Sequence, residues 1–430
     1  MLLLQLLVLC LLASNLAELK TDPEQRHVSF DQSKEQSGYT THIFKESVPR
    51  LSSRTDLLKR ERARHDYVHQ VVFLIRQRNM DELIRVLHDV SDPLSTNYGQ
   101  HWSGDEVANL TSNPESCEVL VSYLHAAGAS VVSKTLYGDY ITAAAPISVW
   151  ETMFNTVFYT FHHTRRINDV RRLVSAEQYS IPVELDPHVE GALYVIDIPV
   201  ETITSQSRFI TEESITQDGV YSKQFLASGF ITPSQLRAYY NISSSVSGSS
   251  VSTQGIFAST GSYYSPSDLL SFENTIGITQ QLPISVGNHS SDSKCTADPN
   301  NCSESNLDLQ YIIATSPGSP TTHWYTDGDF NSFLTSVSSL SSPSLVYSIS
   351  YGAPESSYAS NQLSAFSILA IKLGVRGVTL VASSGDDGAV SYQVANQKNT
   401  SYCGYEPQFP ASNPYITTVG ATSVSLLNFW

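Results

Sequence analysis

Three acidic residues in the second half of the chain stand where a carboxyl group could take part in catalysis. Glu304 and Asp308 lie four residues apart in NCSESNLDLQYI (301–312), and Asp386 follows the apolar run VTLVAS (378–383). If 301–312 is helical, Glu304 and Asp308 lie on one face of the helix, where like charges repel mildly. They are either two solvated acids favoured by the positive end of the helix dipole, or a pair that shares one proton. In such a pair one pKa is raised, and that group can act as a general acid or base.

Asp386 also has two interpretations. In SSGDDGA it is either a turn residue before Gly388, or a carboxylic acid that is protonated at low pH and donates a hydrogen bond to an oxyanion. The neighbouring Asp387 is more typical of a plain turn residue.

The elements around these acids predict a parallel sheet. SLVYSISYG (344–352) is typical of a buried strand, residues 357–374 of a helix ending at Gly374, and VTLVAS of a second buried strand. Strand, helix and strand in this order form a parallel βαβ unit, and PYITTVG (414–420) adds a further strand. Ligands of such sheets bind beyond the carboxyl ends of the strands. Tyr351 and Asp386 are expected at that edge.

The first half of the chain predicts a separate α+β module. Residues 67–163 alternate strand and helix patterns, with helices over 79–90, 113–128 and 148–158 and two strands flanking Gly138. Asn79 is a candidate cap for the first helix, and Pro114 occupies the first position of the second. Residues 201–224 have neither period, which indicates an exposed linker where proteases cut.

Several motifs, taken in order, resemble the sedolisins, a family of serine-carboxyl peptidases. They are ESNLD followed by LQY, then SYG, SSGDDGA and FPASNPYITTVGAT (409–422). SDPLSTNYGQHWSGDEVANL (91–110) is similar to the family's propeptide, and ITPSQLRAYYNI (231–242) to the start of its mature enzyme. The resemblance implies a ferredoxin-like α+β propeptide (18–198), a linker with the activation cleavage site (199–229) and a subtilisin-like α/β peptidase domain (230–430).

The resemblance also implies a role for each site residue. Glu304 would be the general base for a nucleophilic serine, Asp308 would orient and tune Glu304, and Asp386 would complete the oxyanion hole. The segment Ser350, Tyr351, Gly352 would pair with the substrate backbone and wall its side-chain pocket. Such an enzyme works in acid on peptides or unfolded proteins, by tripeptide release or internal cleavage. The propeptide would act as intramolecular inhibitor and chaperone.

The family's nucleophile, in a G-T-S-A-S type motif, is not found in residues 1–430. Ser423 in GATS belongs to the strand motif instead. We therefore expect an incomplete, inactive chain, in which the missing C-terminal part also carries the family's calcium site. The alternative is a non-catalytic secreted glycoprotein that keeps the propeptide and a partial fold for binding. A subtilisin-type Asp/His/Ser set is disfavoured, because neither His289 nor His323 lies in a suitable motif.

Bulk properties place the chain in the secretory route and exclude a nucleic-acid partner. The formal net charge of −16 is unsuited to a phosphate backbone. The apolar run from Leu2 to Leu12 is too short to span a bilayer, and it predicts a signal peptide over 1–17 and no membrane span. The destination would be the lysosome or the extracellular space. Five sequons are candidate glycosylation sites, at Asn109, Asn241, Asn288, Asn301 and Asn399.

The remaining expectations concern cysteines and metals. Cys295 and Cys302 close a short polar loop and could form a disulfide. Cys117 and Cys403 have no obvious partners. CxxC and HExxH patterns are absent from the sequence, so no metal site is predicted within the chain.

Overall fold

The computed structural model describes residues 41–47, 57–163, 173–197, 231–243, 245–259, 261–326, 330–386, 388–389 and 406–420. The predicted signal peptide and linker, together with Asp387, Asn399 and Cys403, lie outside the described residues. Within the described part of the chain, no helix is long and apolar enough to cross a membrane.

Residues 41–197 form the predicted α+β part. Its elements are β1 (His42–Ser47), β2 (Leu57–Arg62), β3 (Val68–Ile75), α1 (Met80–Ser91), α2 (Gly104–Thr111), α3 (Pro114–Ala126), β4 (Ser130–Lys134), β5 (Tyr140–Pro146), α4 (Ile147–Phe154), β6 (Phe158–His163), β7 (Leu173–Ala176), β8 (Gln178–Pro182) and β9 (Val189–Leu193). The central antiparallel sheet has the order β4-β5-β3-β9. Phe73 of β3 packs against Trp150 and Phe154 of α4, so the inward face of the sheet and the helices share one core.

Residues 231–420 form a mixed α/β part around a parallel sheet. Its elements are α5 (Pro233–Tyr239), β10 (Gln254–Ala258), α6 (Pro266–Ile276), β11 (Ile284–Val286), α7 (Asp292–Ala297), α8 (Ser303–Thr315), β12 (Thr321–Tyr325), α9 (Phe330–Ser338), β13 (Val346–Ile349), β14 (Ala353–Pro354), α10 (Ser360–Val375), β15 (Thr379–Ser383), β16 (Gln408–Phe409) and β17 (Thr417–Val419). Six strands pair in the order β11-β12-β10-β13-β15-β17, every neighbouring pair parallel. The predicted α/β class with a parallel sheet is confirmed.

Helices cover both faces of the parallel sheet, as the alternation of side chains along a strand requires. Two successive residues of β10 illustrate this. Ile256 packs with Leu309 of α8 on one face, whereas Phe257 packs with Phe333 of α9 on the other. Helix α10 lies on the same face as α9, where Phe366 joins that cluster.

Several predicted boundaries are wrong. The helix predicted over 148–158 ends at Phe154, and its last residue, Phe158, begins strand β6. Asn79 precedes α1 with a left-handed backbone, and its side chain makes no capping bond. The strand predicted over 344–352 is shorter, because β13 ends at Ile349, where its registers with β10 and β15 also end. The chain then turns, and Ala353 pairs with Phe409 in a separate antiparallel bridge.

Helix α10 connects the two parts of the molecule. Tyr140 of β5 donates from its hydroxyl to the carbonyl of Ala365 at 3.3 Å. Asn361 donates from Nδ2 to the carbonyl of Ala192 at 2.6 Å. At the other end of α10 the backbone N–H of Trp102 donates to Val375 at 3.0 Å. The residues from α1 to β9 thus cover the outer side of a helix that faces the parallel sheet with its inner side.

Candidate active site

Glu304 and Asp308 lie on helix α8, as their spacing predicts. Glu304 is in the first turn and is 5% exposed. One carboxyl oxygen of Asp308, Oδ2, is completely buried and has no hydrogen-bond partner among the described residues. The pair is therefore not two solvated surface acids. The helix dipole would favour acids at this position even if they were exposed, so it does not explain their burial.

Contacts at both ends of the first turn hold α8 in place. The predicted disulfide between Cys295 and Cys302 is present, with the two Cα atoms 5.4 Å apart, and it ties the residue before α8 to helix α7. Asn306, between the two acids, accepts from the backbone N–H of Ser265 at 2.8 Å and donates to Asp268 at 3.0 Å. These bonds fix the rotation of α8 about its axis and so the direction of both carboxyl groups.

The environment favours the neutral form of Asp308. Burial raises the pKa of Asp308 well above its usual value, and the negative charge of Glu304 raises it further. Since the charge of one carboxyl group acts on the other, their titration belongs to the pair. The arrangement can hold a proton or accept one, which is the requirement for general acid or base chemistry.

The segment Ser350, Tyr351, Gly352 follows the end of β13, at the carboxyl edge of the sheet. The Tyr351 side chain is 1% exposed and its ring meets Phe257 edge to face, with centroids 5.4 Å apart. The predicted substrate contact of this segment stays a prediction, and with this side chain inside the core it would depend on backbone atoms. Gly352 lies close to the backbone of strand β16, since a Cβ there would stand 3.1 Å from the carbonyl oxygen of Phe409.

Asp386 lies at the same edge of the sheet, one strand further along. It sits on an exposed bend three residues after β15, next to Gly385, whose φ of +87° gives a left-handed backbone. Since β13 and β15 are adjacent and parallel, Tyr351 and Asp386 follow neighbouring carboxyl ends. The expected placement at one edge is thus found for both.

Sequence reasoning missed a set of buried polar residues beside the acid pair. Ser262, after β10, hydrogen-bonds Ser305 of α8 with oxygen atoms 2.8 Å apart. His323 of β12 lies 3.4 Å from Ser305 through Nε2. Burial, followed by the nearby His289, lowers the pKa of His323 to about 4. His323 and Ser305 are at most 1% exposed, so they are not a substrate-facing catalytic pair.

The remaining predictions concern glycosylation, the free cysteines and metal binding. Asn109, Asn241 and Asn288 are exposed and Asn301 is half-buried, and their glycosylation stays a prediction. Cys117 is a buried free cysteine. Among the described residues, no three His, Cys, Asp or Glu side chains converge as a metal-binding group.

Comparison with known proteins gives matches along most of the chain. Residues 55–194 match the family model of the Pro-kumamolisin activation domain. Tripeptidyl-peptidase 1 of Homo sapiens is 28% identical over 367 residues, which cover 82% of this chain and 61% of that protein. The protein of the same name from Mus musculus is 29% identical over 367 residues, with the same coverage. The chain therefore spans about three fifths of the length of these relatives.

A solved structure of Pseudomonas sedolisin, a serine-carboxyl proteinase complexed with two molecules of pseudo-iodotyrostatin, is 20% identical. It has a TM-score of 0.33 and covers 44% of this chain and 52% of that chain.

Proposed function

We propose that the chain, which is similar to tripeptidyl-peptidase 1 and contains the activation domain match, is the zymogen sequence of an acid serine-carboxyl peptidase of the sedolisin family. The observation that carries the proposal is the buried Glu304–Asp308 pair. Ser305, next to Glu304, contacts Ser262 after the carboxyl end of β10, and Asp386 follows the carboxyl end of β15 in the same sheet. Substrates would be peptides or unfolded proteins, cleaved by release of tripeptides or internally.

In the proposed reaction Glu304 takes the proton of a serine hydroxyl while the serine oxygen attacks the scissile carbonyl. Asp308 keeps Glu304 in position and sets its proton affinity. Protonated Asp386 donates a hydrogen bond to the oxygen that becomes negative, which an ionised carboxylate could not do. The proton passes to the departing amine, and water then hydrolyses the acyl ester. The serine belongs to a G-T-S-x-S type motif, and residues 1–430 contain no such motif.

We propose that residues 18–198 act as activation domain, with a ferredoxin-like core, and that cleavage within 199–229 releases a subtilisin-like peptidase domain. The activation domain match over 55–194 supports this division. Passage through the secretory pathway to the lysosome or the cell exterior, glycosylation at the sequons, and a calcium site outside residues 1–430 belong to the same proposal.

Sequencing the 3′ end of the transcript shows whether a G-T-S-x-S motif is encoded beyond codon 430. A chain that carries the motif is expected to cut itself within 199–229 at about pH 4 and to release tripeptides. Glu304→Gln, which removes the base, and Asp386→Ala, which removes the donor, should each lower kcat about 10²-fold or more, whereas the matched Asp387→Ala should keep it. A folded, motif-bearing chain that stays intact at pH 4 would show the proposal to be wrong.

The non-catalytic alternative is favoured by one observation, the buried contacts between α10 and the first part of the chain, which need no serine. It requires that the 430-residue chain is secreted in folded form. Pulse-chase labelling decides this, since rapid intracellular degradation of that chain would exclude a secreted binding protein.

A further inference from the structure

Helix α10 begins without a side-chain cap of its own. The residue before it, Ala359, has an extended backbone (φ −72°, ψ 150°) and no side-chain oxygen. The preferred caps Ser, Thr, Asp and Asn have such an oxygen, and it accepts from the first backbone N–H groups of a helix. The side chain of Gln362 accepts from the backbone N–H of Ala359 at 3.0 Å, which is one half of a capping box. The N–H groups of Ser360 and Asn361 therefore need an acceptor from elsewhere.

The acceptor comes from strand β1, and it is a residue 314 positions before Ser360 in the sequence. One carboxylate oxygen of Glu46 accepts from the backbone N–H of Ser360, and the other accepts from that of Asn361 at 3.3 Å. A negative charge at this position is favoured by the positive end of the helix dipole. Glu46 thus has the position and the chemistry of an N-terminal cap.

Neighbouring contacts hold Glu46 in this position. It pairs with Tyr179 of β8 in the antiparallel register of β1 and β8. The Tyr179 hydroxyl accepts from the backbone N–H of Ala192 at 3.1 Å, and Asn361 donates from Nδ2 to the carbonyl of Ala192 at 2.6 Å. A Cβ at Gly191 would stand 3.2 Å from Cβ of Asn361. Strand β8 thus joins β1 and β9, the two strands that contact the start of α10.

The contact with Glu46 lies on the site side of the sheet and outside the matched family model. The helix of a βαβ unit begins beyond the carboxyl end of its first strand, here β13, which Tyr351 also follows. The activation domain match covers 55–194 and does not include β1 (His42–Ser47). The match therefore assigns no role to this strand.

We propose that β1 is a docking strand through which the first part of the chain caps α10, with the Glu46 carboxylate as the cap. It stabilises the helix that connects the strands before Tyr351 and Asp386. Departure of the first part would remove the cap and leave the first turn of α10 less stable. The inference rests on the proposed function for its biological role, because it names a contact by which the activation domain holds the peptidase part.

The experiment measures hydrogen exchange at the start of α10 in the 430-residue chain, without substrate. Glu46→Ala removes both acceptor oxygens. From the usual effect of losing a helix cap, amides in peptides that cover 358–366 should exchange about 2- to 30-fold faster. Peptides that cover 367–375, the later turns of the same helix, should change less.

Glu177→Ala is the matched control. Glu177 lies directly before β8, and its loss changes the net charge equally, but its carboxylate pairs with Lys59 at 2.7 Å within the first part of the chain. The variant should leave exchange at 358–366 unchanged. Equal exchange in Glu46→Ala and Glu177→Ala would overturn the proposal.

A local cap decides whether Glu46 acts as a cap or only as part of strand β1. Ala359→Ser supplies the missing hydroxyl, and together with Gln362 three residues later it completes the capping box. Added to Glu46→Ala, this change should restore much of the slow exchange at 358–366. Faster exchange that Ala359→Ser does not reverse would show that Glu46 is not the cap.

A further variant is informative if Glu46→Ala does not fold. Glu46→Gln keeps the shape of the side chain and one acceptor oxygen, so exchange at 358–366 should rise by a smaller factor. An unchanged rate in that variant would also contradict the proposal. The readout needs no peptide cleavage, and so a chain with the expected exchange that shows no peptidase activity would count against the proposed function alone.

Discussion

At the scale of single residues, Asp308 connects the chemistry of the site with the stability of the fold. Its pKa is raised above the unfolded value of 3.8, first by burial and then by Glu304. Such a group stabilises the fold fully below the unfolded pKa, and the contribution is lost as the pH rises through the folded pKa. Asp308→Asn is therefore expected to raise the midpoint of thermal unfolding at pH 7 and to change it little near pH 3. Each kcal/mol corresponds to about 2–4 °C in a domain of roughly this size.

Asp292→Asn is a control for which the expected change in thermal stability at pH 7 has the opposite sign. Asp292 accepts from the backbone N–H of Ser267 at 3.0 Å and from the Ser265 hydroxyl at 2.7 Å. These bonds lower its pKa, so its contribution is present at neutral pH and is lost as the pH falls through the folded pKa. The variant should melt lower at pH 7, by an amount that shrinks in acid. A pH-independent change in both variants would contradict the assignment of Asp308 as a proton-holding group.

Single residues differ in how far the sequence reveals them. Glu304 and Asp308 were predictable, because four-residue spacing in a helix places both on one side, and Asp386 because it follows a buried strand. His323 was not, since its neighbour Ser305 comes from another element and nothing in THWY (322–325) indicates the contact. Tyr351 was placed at the correct edge, but its inward direction depends on where β13 ends.

At the scale of elements, the end of α10 shows how a backbone conformation supports contact with the first part of the chain. Gly377 has φ +83° and follows the helix, and the N–H of Val378 donates to Leu373 at 3.0 Å in a left-handed helix ending. A Cβ at Gly377 would stand 2.5 Å from Nδ1 of His101. Gly377→Ala is therefore expected to cost the left-handed strain of about 1–2 kcal/mol together with displacement of the His101 ring.

Gly277→Ala isolates the strain from the contact. Gly277 ends α6 with φ +75°, and a Cβ there would meet nothing within 4 Å. Unfolding in urea should give a larger loss of free energy for Gly377→Ala than for Gly277→Ala. Equal losses would mean that the His101 contact contributes nothing to the end of α10.

Helices and strands were predictable where the hydrophobic periodicity was strong and where neighbouring residues in the sequence mark the ends of the element. Pro114 and Asn113 mark the start of α3, and the Asn113 side chain accepts from the backbone N–H of Ser116 as a cap. Strand β10 was not recognised, although it lies inside the parallel sheet. Its five residues are buried on both faces, so the alternation typical of a half-exposed strand is missing.

At the scale of the whole molecule, a buried ion pair joins the two parts of the chain. Lys372 of α10 is 5% exposed, and its ammonium group donates to Asp139 and to Gln77, each at 2.6 Å. Burial lowers the pKa of Lys372, while the charge of Asp139 raises it. Both partners come from the first part of the chain, and Asp139 is 233 residues away in sequence. No local pattern could predict this contact, because it exists only once both parts have folded.

Removing one charge of the Lys372–Asp139 pair should destabilise the protein more than removing both charges. Asp139→Asn leaves the Lys372 charge buried without a counter-charge, which typically costs about 3–5 kcal/mol. The double variant Asp139→Leu with Lys372→Met, in which both charges are replaced by apolar groups, should recover most of that loss. Unfolding in urea measures the free energy of unfolding, and hydrogen exchange of peptides from 360–375 locates the loss at α10.

The control is Asp66→Asn, which breaks the exposed Arg64–Asp66 pair and should change neither quantity measurably. If Asp139→Asn behaves like Asp66→Asn, the ion pair does not hold the two parts together, and the remaining contacts of α10 would account for their association.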